Sequence, residues 1–245
     1  MEGFAEGGAF TFESGGFPDV CILDSGRNAK PKGNGSVIGP DETGGRSSQV
    51  CLTQDAERGG VFIVSENPGA DPLGAELKAL TIILAFRASP ASPSPVFVER
   101  LVGGSSNNPG FFRFRSQSNS GDTKERTGTL RFYLNPVAGE SLSAASTAPW
   151  TQIENAWNWV GLVFDHGRVR FYLNGERLGD EVNLPVESIP GAEGKPYAIR
   201  AGYGFTGALD DLVILPGKAL GDEEMQELQQ SSPDAGKLRK FTEKP

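Results

Sequence analysis

The side chains best suited to chemistry in this chain are arginines and aromatics that alternate with apolar residues. In 111–115 (FFRFR), Phe112 and Phe114 alternate with Arg113 and Arg115, and in 129–134 (TLRFYL), Leu130, Phe132 and Leu134 alternate with Arg131 and Tyr133. A strand sends successive side chains to opposite faces, so each segment has an apolar side and an Arg/Tyr side. The stretch 157–175 (WNWVGLVFDHGRVRFYLNG) behaves alike. A tight turn centred on His166-Gly167 opposes Phe164 to Val169, Leu162 to Phe171 and Val160 to Leu173, which collects six apolar residues on one side and Trp159, Val163, Arg170 and Tyr172 on the other. Arg87 follows Phe86 on a further strand. If these strands are neighbours, one face holds five arginines, two tyrosines and a tryptophan. Arginine forks match carboxylate and sulfate bidentately, and rings stack on sugar faces, so the chemistry is recognition of an anionic polysaccharide. The same pattern also suits any exposed strand face, because long Arg and Tyr stems cover apolar surface.

Catalytic chemistry is less well supplied. Glycoside hydrolysis with retention needs two carboxylates about 5–5.5 Å apart, yet the strands carry almost no acids and Glu99 stands alone on its segment. The single histidine, His166, lies in a turn between Asp165 and Gly167. Tyr133, Tyr172 and Tyr203 are the remaining candidate bases for an elimination reaction. No Ser-His-Asp arrangement or phosphate-binding glycine loop is present. A binding module is therefore favoured over an enzyme.

The elements that must position these residues are strands. The chain has 245 residues, 33 Gly and 17 Pro, and almost no helical periodicity, which argues for an all-β sandwich or barrel in one piece. Strands are expected at 9–13, 49–53, 60–64, 79–88, 96–102, 110–116 and 129–135, and again through 157–215. Asn174-Gly175 marks a second hairpin turn. Residues 24–48 and 136–156 read as irregular loops, and 221–230 (GDEEMQELQQ) as a short helix with Asp222 as N-cap. The domain is expected to span 1–230, with 231–245 a polar tail or linker. A net charge of -8 excludes nucleic acid as a natural partner, and no run of about 18 apolar residues offers a membrane span. No signal peptide is visible at the N-terminus. Cys21 and Cys51 are open to two readings, one disulfide or two buried thiols.

In order, the strings FTFE, DSGRN, TIILAFR, WNWVGLVFDHGRVRFYLNG and FTGALDDLVIL, followed by a short acidic helix, resemble laminin-G-like domains of the concanavalin A-like lectin/glucanase superfamily. The likeness spans roughly 9–230 and is densest from 157 to 228. It implies a jelly-roll β-sandwich of two curved antiparallel sheets, secreted or periplasmic, and often a structural calcium. Carried over, the metal position falls on Asp210, with Asp24 or Glu13 as neighbours; the alternative is that Asp210 caps a turn and Asp24 forms an Asx-turn. Glucanases of this fold draw their acids from an E-x-D-x-E string, and this chain has none. The resulting expectation is a non-catalytic carbohydrate-binding module with ligand residues Trp159, Arg170, Tyr172, Arg131, Tyr133 and Arg113. A protein-adhesion module working through rim loops such as 103–110 and 116–128, and a lyase or hydrolase of the same fold, are the alternatives. An exposed aromatic groove would mark a glycan site, a flat apolar rim patch a protein site.

Overall fold

The computed structural model describes residues 4–5, 9–10, 21–23, 36–40, 49–53, 61–64, 72–88, 96–118, 125–153, 157–203 and 207–230. Its strands in chain order are β1 (Phe4–Ala5), β2 (Ala9–Phe10), β3 (Cys21–Leu23), β4 (Ser36–Pro40), β5 (Gln49–Thr53), β6 (Val61–Val64), β7 (Ala79–Ala88), β8 (Val96–Val102) and β9 (Phe112–Ser118). They continue as β10 (Glu125–Leu134), β11 (Leu142–Ala145), β12 (Trp150–Ile153), β13 (Asn158–Asp165), β14 (Arg168–Leu173), β15 (Glu176–Arg177), β16 (Val182–Asn183), β17 (Tyr197–Ala201) and β18 (Gly207–Pro216). A short 3-10 turn occupies Pro72–Gly74, and helix α1 (Asp222–Gln230) follows the last strand.

Among the described residues these strands form two sheets of nine. Sheet A runs β1-β2-β6-β17-β8-β9-β10-β11, with β12 also on β10; sheet B runs β15-β14-β13-β7-β18-β5-β4, with β16 on β14 and β3 on β18. The short β2–β6 pairing is parallel, and the neighbours that carry the core are antiparallel. The architecture is thus the expected all-β sandwich with one short helix. Among the described residues no helix is long and apolar enough to cross a membrane.

The central hairpin has the register its alternation dictates: Val160 faces Leu173, Leu162 faces Phe171 and Phe164 faces Val169. Its turn residue His166 has φ 49°, and the following turn places Asn174 at φ 51°, the left-handed geometry that two-residue hairpin turns require. The apolar side of β13 and β14 packs on sheet A, and the contacts are largely aromatic. Phe86 of sheet B meets Phe97 of sheet A at 4.8 Å between ring centroids, Phe164 meets Phe132 at 6.1 Å, and Phe171 meets Phe114 at 6.4 Å. All six rings are buried.

Two segments read as irregular carry strands. Residues 24–48 hold β4, an edge strand ending in Pro40, where a missing N–H donor costs no ladder bond. Residues 136–156 hold β11 and β12, which both cover β10. Cys21 pairs with Ile214 and Cys51 with Leu209, on the same edge of β18. Five residues of strand separate those partners, roughly 16 Å, against a limit of about 7 Å between Cα atoms for a disulfide. At that separation the two do not bridge to each other, and their side chains lie outside the described residues. Residues 231–245 lie outside the described residues.

The interior holds one feature that apolar alternation does not predict. A register shift between Val96 and Val98 turns both Phe97 and Val98 inward, after which Arg100 lies inside the sandwich, fully buried. Among the described residues no carboxylate partners it. Its Nε donates to Gly110 O at 2.6 Å, Nη1 to Leu73 O at 2.6 Å and Nη2 to Pro190 O at 2.5 Å. The guanidinium also lies 5.1 Å from the Phe112 ring centre. Burial pulls its pKa down to about 10, so it stays charged at neutral pH. Gly110 allows this approach, because a Cβ there would sit 2.7 Å from Pro190 O and 3.1 Å from Arg100 Nη2.

Removing the fork strands three buried carbonyls, each worth about 1–3 kcal/mol, partly offset by no longer burying a charge. Arg100→Met is expected to lower stability by roughly 3 kcal/mol in urea unfolding, with Arg100→Lys falling between. Equal midpoints for wild type and Arg100→Met would show the clamp to be dispensable.

Candidate functional site

The residues that alternation grouped on one polar side are divided between the two outer faces of the sandwich. Trp159, Arg170 and Tyr172 belong to sheet B; Arg113, Arg131 and Tyr133 belong to sheet A. This corrects the expectation that these side chains share one face.

The outer face of sheet B is closed by α1. Ile83, Ala85, Trp159, Val163, Tyr172, Val213 and Leu215 form a second core with Leu220, Met225 and Leu228. Trp159 is 6% exposed and Tyr172 1%, so neither ring is available to stack on a ligand. Gly161 leaves the space into which the helix settles, since a Cβ there would meet Met225 Cε at 2.4 Å. Tyr172 donates its hydroxyl to Asp222 Oδ1 at 2.6 Å, and Arg170 Nη2 donates to Leu220 O at 3.0 Å. Arg170 is further flanked by Glu181 and Asp222, each at 3.8 Å. The N-cap is Gly221 and not Asp222: Met225 N donates to Gly221 O, and Gly221 N donates back to Glu224 Oε2 at 2.7 Å, one half of a capping box. Asp222 instead anchors the helix to the sheet through Tyr172.

The outer face of sheet A carries a different arrangement. Registers place Arg200, Glu99, Arg113 and Tyr133 side by side across β17, β8, β9 and β10. Glu99 is fully buried between two arginines, accepting from Arg113 Nε at 2.8 Å and ion-paired with Arg200. Arg200 lies 3.5 Å over the Tyr203 ring, and Arg113 lies 5.2 Å from the Phe111 ring centre. In the next row Arg115 and Arg131 stand directly opposite each other, and beyond them Gln117 faces Thr129. Tyr133 donates its hydroxyl to Gln117 Oε1 at 3.2 Å. Arg115 Nε donates to Ser116 O. Its pKa is lowered by burial, and the nearby Arg113 and Arg131 push the same way while Tyr133 and Glu99 oppose. The buried Nε of Arg131 and Oγ1 of Thr129 have no hydrogen-bond partner. Among the described residues the face therefore sets four arginines against one carboxylate, with Tyr133 in the row of Glu99.

The remaining candidates lie elsewhere. His166 is an exposed turn residue whose Nδ1 is 2.8 Å from Asp165 Oδ1. Tyr172 is no base, because burial and its bond to Asp222 hold the phenol in its neutral form well above the ordinary range. Glu99 is neutralised by its arginines and offers no free acid. Asp210 lies on β18 opposite Ala85, at the register shift that precedes Val213, and its side chain is outside the described residues. Asp24 and Glu13 are also outside them, as is the side chain of Arg87. Among the described residues no three His, Cys, Asp or Glu side chains converge as a metal site.

A two-sheet antiparallel sandwich with one polar outer face is the frame of lectin-like domains. The family comparison agrees: residues 70–226 match the laminin-G-type family model described as the Concanavalin A-like lectin/glucanases superfamily, and the chain belongs to that family. No curated protein matches the sequence. Among solved structures, the chain is similar to domain 4 of AbnA, an extracellular GH43 arabinanase from Geobacillus stearothermophilus solved with arabinotriose, at 14% identity and TM-score 0.54 over 86% of this chain and 87% of that one. It is also similar to the binding domain of botulinum neurotoxin DC, solved with rat synaptotagmin II, at 13% identity and TM-score 0.55 over 86% of this chain and 50% of that one. A third is botulinum neurotoxin type C, whose cell entry is described as dependent upon two ganglioside molecules, at 15% identity and TM-score 0.56 over 87% and 49%. The chain spans about half the length of the toxin chains. At these identities the likeness is one of fold.

The covered face yields a pH prediction. The Tyr172 pKa is raised above its ordinary value of 10.0 by burial first and then by its bond to Asp222. A group whose pKa rises on folding adds stability that is fully present below its unfolded value and lost as pH climbs past it. Stability is therefore expected to fall above about pH 10, and Tyr172→Phe, about 1 kcal/mol less stable at pH 7 for its lost hydrogen bond, should fall less steeply. Parallel alkaline unfolding curves for the two proteins would contradict this.

Proposed function

We propose that the protein is a non-catalytic carbohydrate-binding module, located outside the cytoplasm, which takes an anionic polysaccharide on the outer face of sheet A. The observation that carries this is the half-exposed array of Arg113, Arg115, Arg131 and Tyr133 in a chain of net charge -8. Charge concentrated against the sign of the whole molecule is the mark of a site for an oppositely charged ligand. The arabinotriose-bound arabinanase domain of like fold supports a glycan as the ligand. The absence of a broad apolar rim among the described residues also favours glycan over protein: Val137, at 54%, is the large hydrophobic side chain that stands exposed there.

The reading separates the two faces experimentally. In titrations against uronate, sulfated and neutral oligosaccharides, Tyr133→Ala and Arg113→Ala are expected to weaken binding roughly tenfold, as for aromatic and arginine hot spots. Trp159→Phe should disturb stability and leave affinity unchanged. Loss of affinity in Trp159→Phe with none in Tyr133→Ala would move the site to sheet B and refute this placement.

The proposal includes a structural calcium near Asp210, with Asp24 and Glu13. The pairing of Leu23 with Leu212 supports it, because Asp24 follows directly on Leu23 and Asp210 lies two residues before Leu212. Carboxylates and loop carbonyls are the oxygen donors calcium prefers. At a hundredfold excess over Kd, calcium would add about 2.7 kcal/mol, or roughly 5–10 °C in Tm for a domain of this size. EDTA is expected to lower Tm by that amount and calcium to restore it; an unmoved Tm removes the metal from the proposal.

A further inference from the structure

Glu99 is the one fully buried carboxylate among the described residues, and a ligand has no access to it. It lies on the outer side of β8, where water would be the simplest partner for a charge, yet Arg113 and Arg200 cover it. Arg113 gives Nε and Nη2 to Oε2 at 2.8 and 2.7 Å, and Arg200 gives the same two nitrogens to Oε1. A guanidinium has five N–H donors, so the carboxylate occupies only part of each. Arg113 and Arg200 keep 25% and 15% of their side chains open to solvent while Glu99 keeps none, so the arginines are the surface and Glu99 is the support behind it. Each arginine is held from a second side by a ring, Arg113 by Phe111 and Arg200 by Tyr203. A buried ion pair adds little to the stability of a fold, because desolvation offsets the attraction. Sheet B shows how this fold covers an outer face with apolar side chains instead. What the carboxylate provides is order: two guanidinium groups fixed in a row that ends on Tyr133. Its charge also reaches the next row, where it counters the lowering of the Arg115 pKa.

Resting on the glycan-binding reading, we propose that Glu99 is the positioning and specificity-setting residue of that site. It holds Arg113 and Arg200 as ordered donors for the uncharged oxygens of a sugar, and it limits how far the face prefers an acidic sugar to a neutral one. Order lowers what a ligand must overcome on binding, since free arginines surrender rotamer freedom. Charge balance weakens the pull of the pair on an oxyanion relative to that of two bare guanidinium groups. Glu99→Gln removes both effects together, because the amide has one acceptor oxygen for two forks and sets its own NH2 donor against a guanidinium. Such a face is looser toward a neutral sugar and more positive toward an acidic one.

The test titrates wild type and variants with a uronic acid oligosaccharide and with its fully methyl-esterified form, which keeps shape and loses charge. Glu99→Gln is expected to weaken ester binding roughly tenfold and to leave acid binding close to wild type, so that the preference for acid widens and its decline with salt steepens. Glu99→Asp keeps the charge and shortens the reach, and Tyr203→Leu keeps every charge and removes the ring beneath Arg200. Both are expected to weaken acid and ester by similar factors, with the salt dependence of wild type. An acid-to-ester ratio and salt dependence unchanged in Glu99→Gln, in a protein that urea unfolding shows to be folded, would reduce Glu99 to a structural role and leave glycan binding standing. If Glu99→Gln does not fold, the other two variants decide: ester affinity lost in both supports the positioning role, and ester affinity unchanged in either overturns it. Wild-type protein that binds neither oligosaccharide would overturn the glycan reading and this role with it.

Discussion

The buried Arg100 guanidinium is the constraint on which the loop end of this sandwich depends. Three donors from one side chain reach carbonyls in the 72–74 turn, at Gly110 and at Pro190, and so bring Gly110 to the two segments that the Leu77–Ile189 bridge and the Ala192–Gly74 bond already join. A neutral side chain could fill the same volume, but it would leave three acceptors without partners in an interior where each is costly. The charge is tolerated because carbonyl dipoles and the Phe112 ring surround it, at the expense of a pKa drawn down to about 10. Strand β8 thus holds two consecutive ionised residues, both fully buried: Arg100 inward on carbonyls and Glu99 outward between arginines. The first ties loops together, and the second sets the positions of the side chains that line the outer face.

The two sheets meet the same problem differently. An outer face of β-sheet is either covered or wet, and α1 covers sheet B with Leu220, Met225 and Leu228. Gly161, Ala85 and Val163 keep that surface low enough for a helix to lie on it. Sheet A presents Arg113, Arg115, Gln117, Thr129, Arg131 and Tyr133, polar side chains that need no cover. The proposed binding face is accordingly on the sheet that α1 does not cover.

Much of this was readable from the chain. Apolar alternation and two left-handed turn residues were enough to obtain the β13–β14 register pair by pair. The same reasoning could not say which sheet a strand would join. The strings RFYLN at 131–135 and 170–174 are identical, yet Tyr133 lies on a half-exposed face and Tyr172 beneath a helix, 1% exposed. Alternation assigns a side chain to a side and is silent about what covers that side. The signal lay in the neighbours. Val163 and Gly161 beside Tyr172, and the i, i+3 pair Met225 and Leu228 in an otherwise acidic helix, are two apolar surfaces in want of each other. Thr129 and Gln117 beside Tyr133 offer no such surface. The inward position of Arg100 is hidden from alternation for a related reason, because the register shift near Val96 alters the inward–outward count on which its side depends.

The placement of Glu99 also bears on how the open face works. Arginine side chains carry about 2 kcal/mol of rotamer entropy, which a ligand must overcome if they are free. Arg113 and Arg200 are already held, by one carboxylate between them and by a ring beside each. Holding them removes charge from the face but also removes the ordering cost, which favours neutral polar contacts over long-range attraction. The buried Nε of Arg131, by contrast, has no hydrogen-bond partner among the described residues.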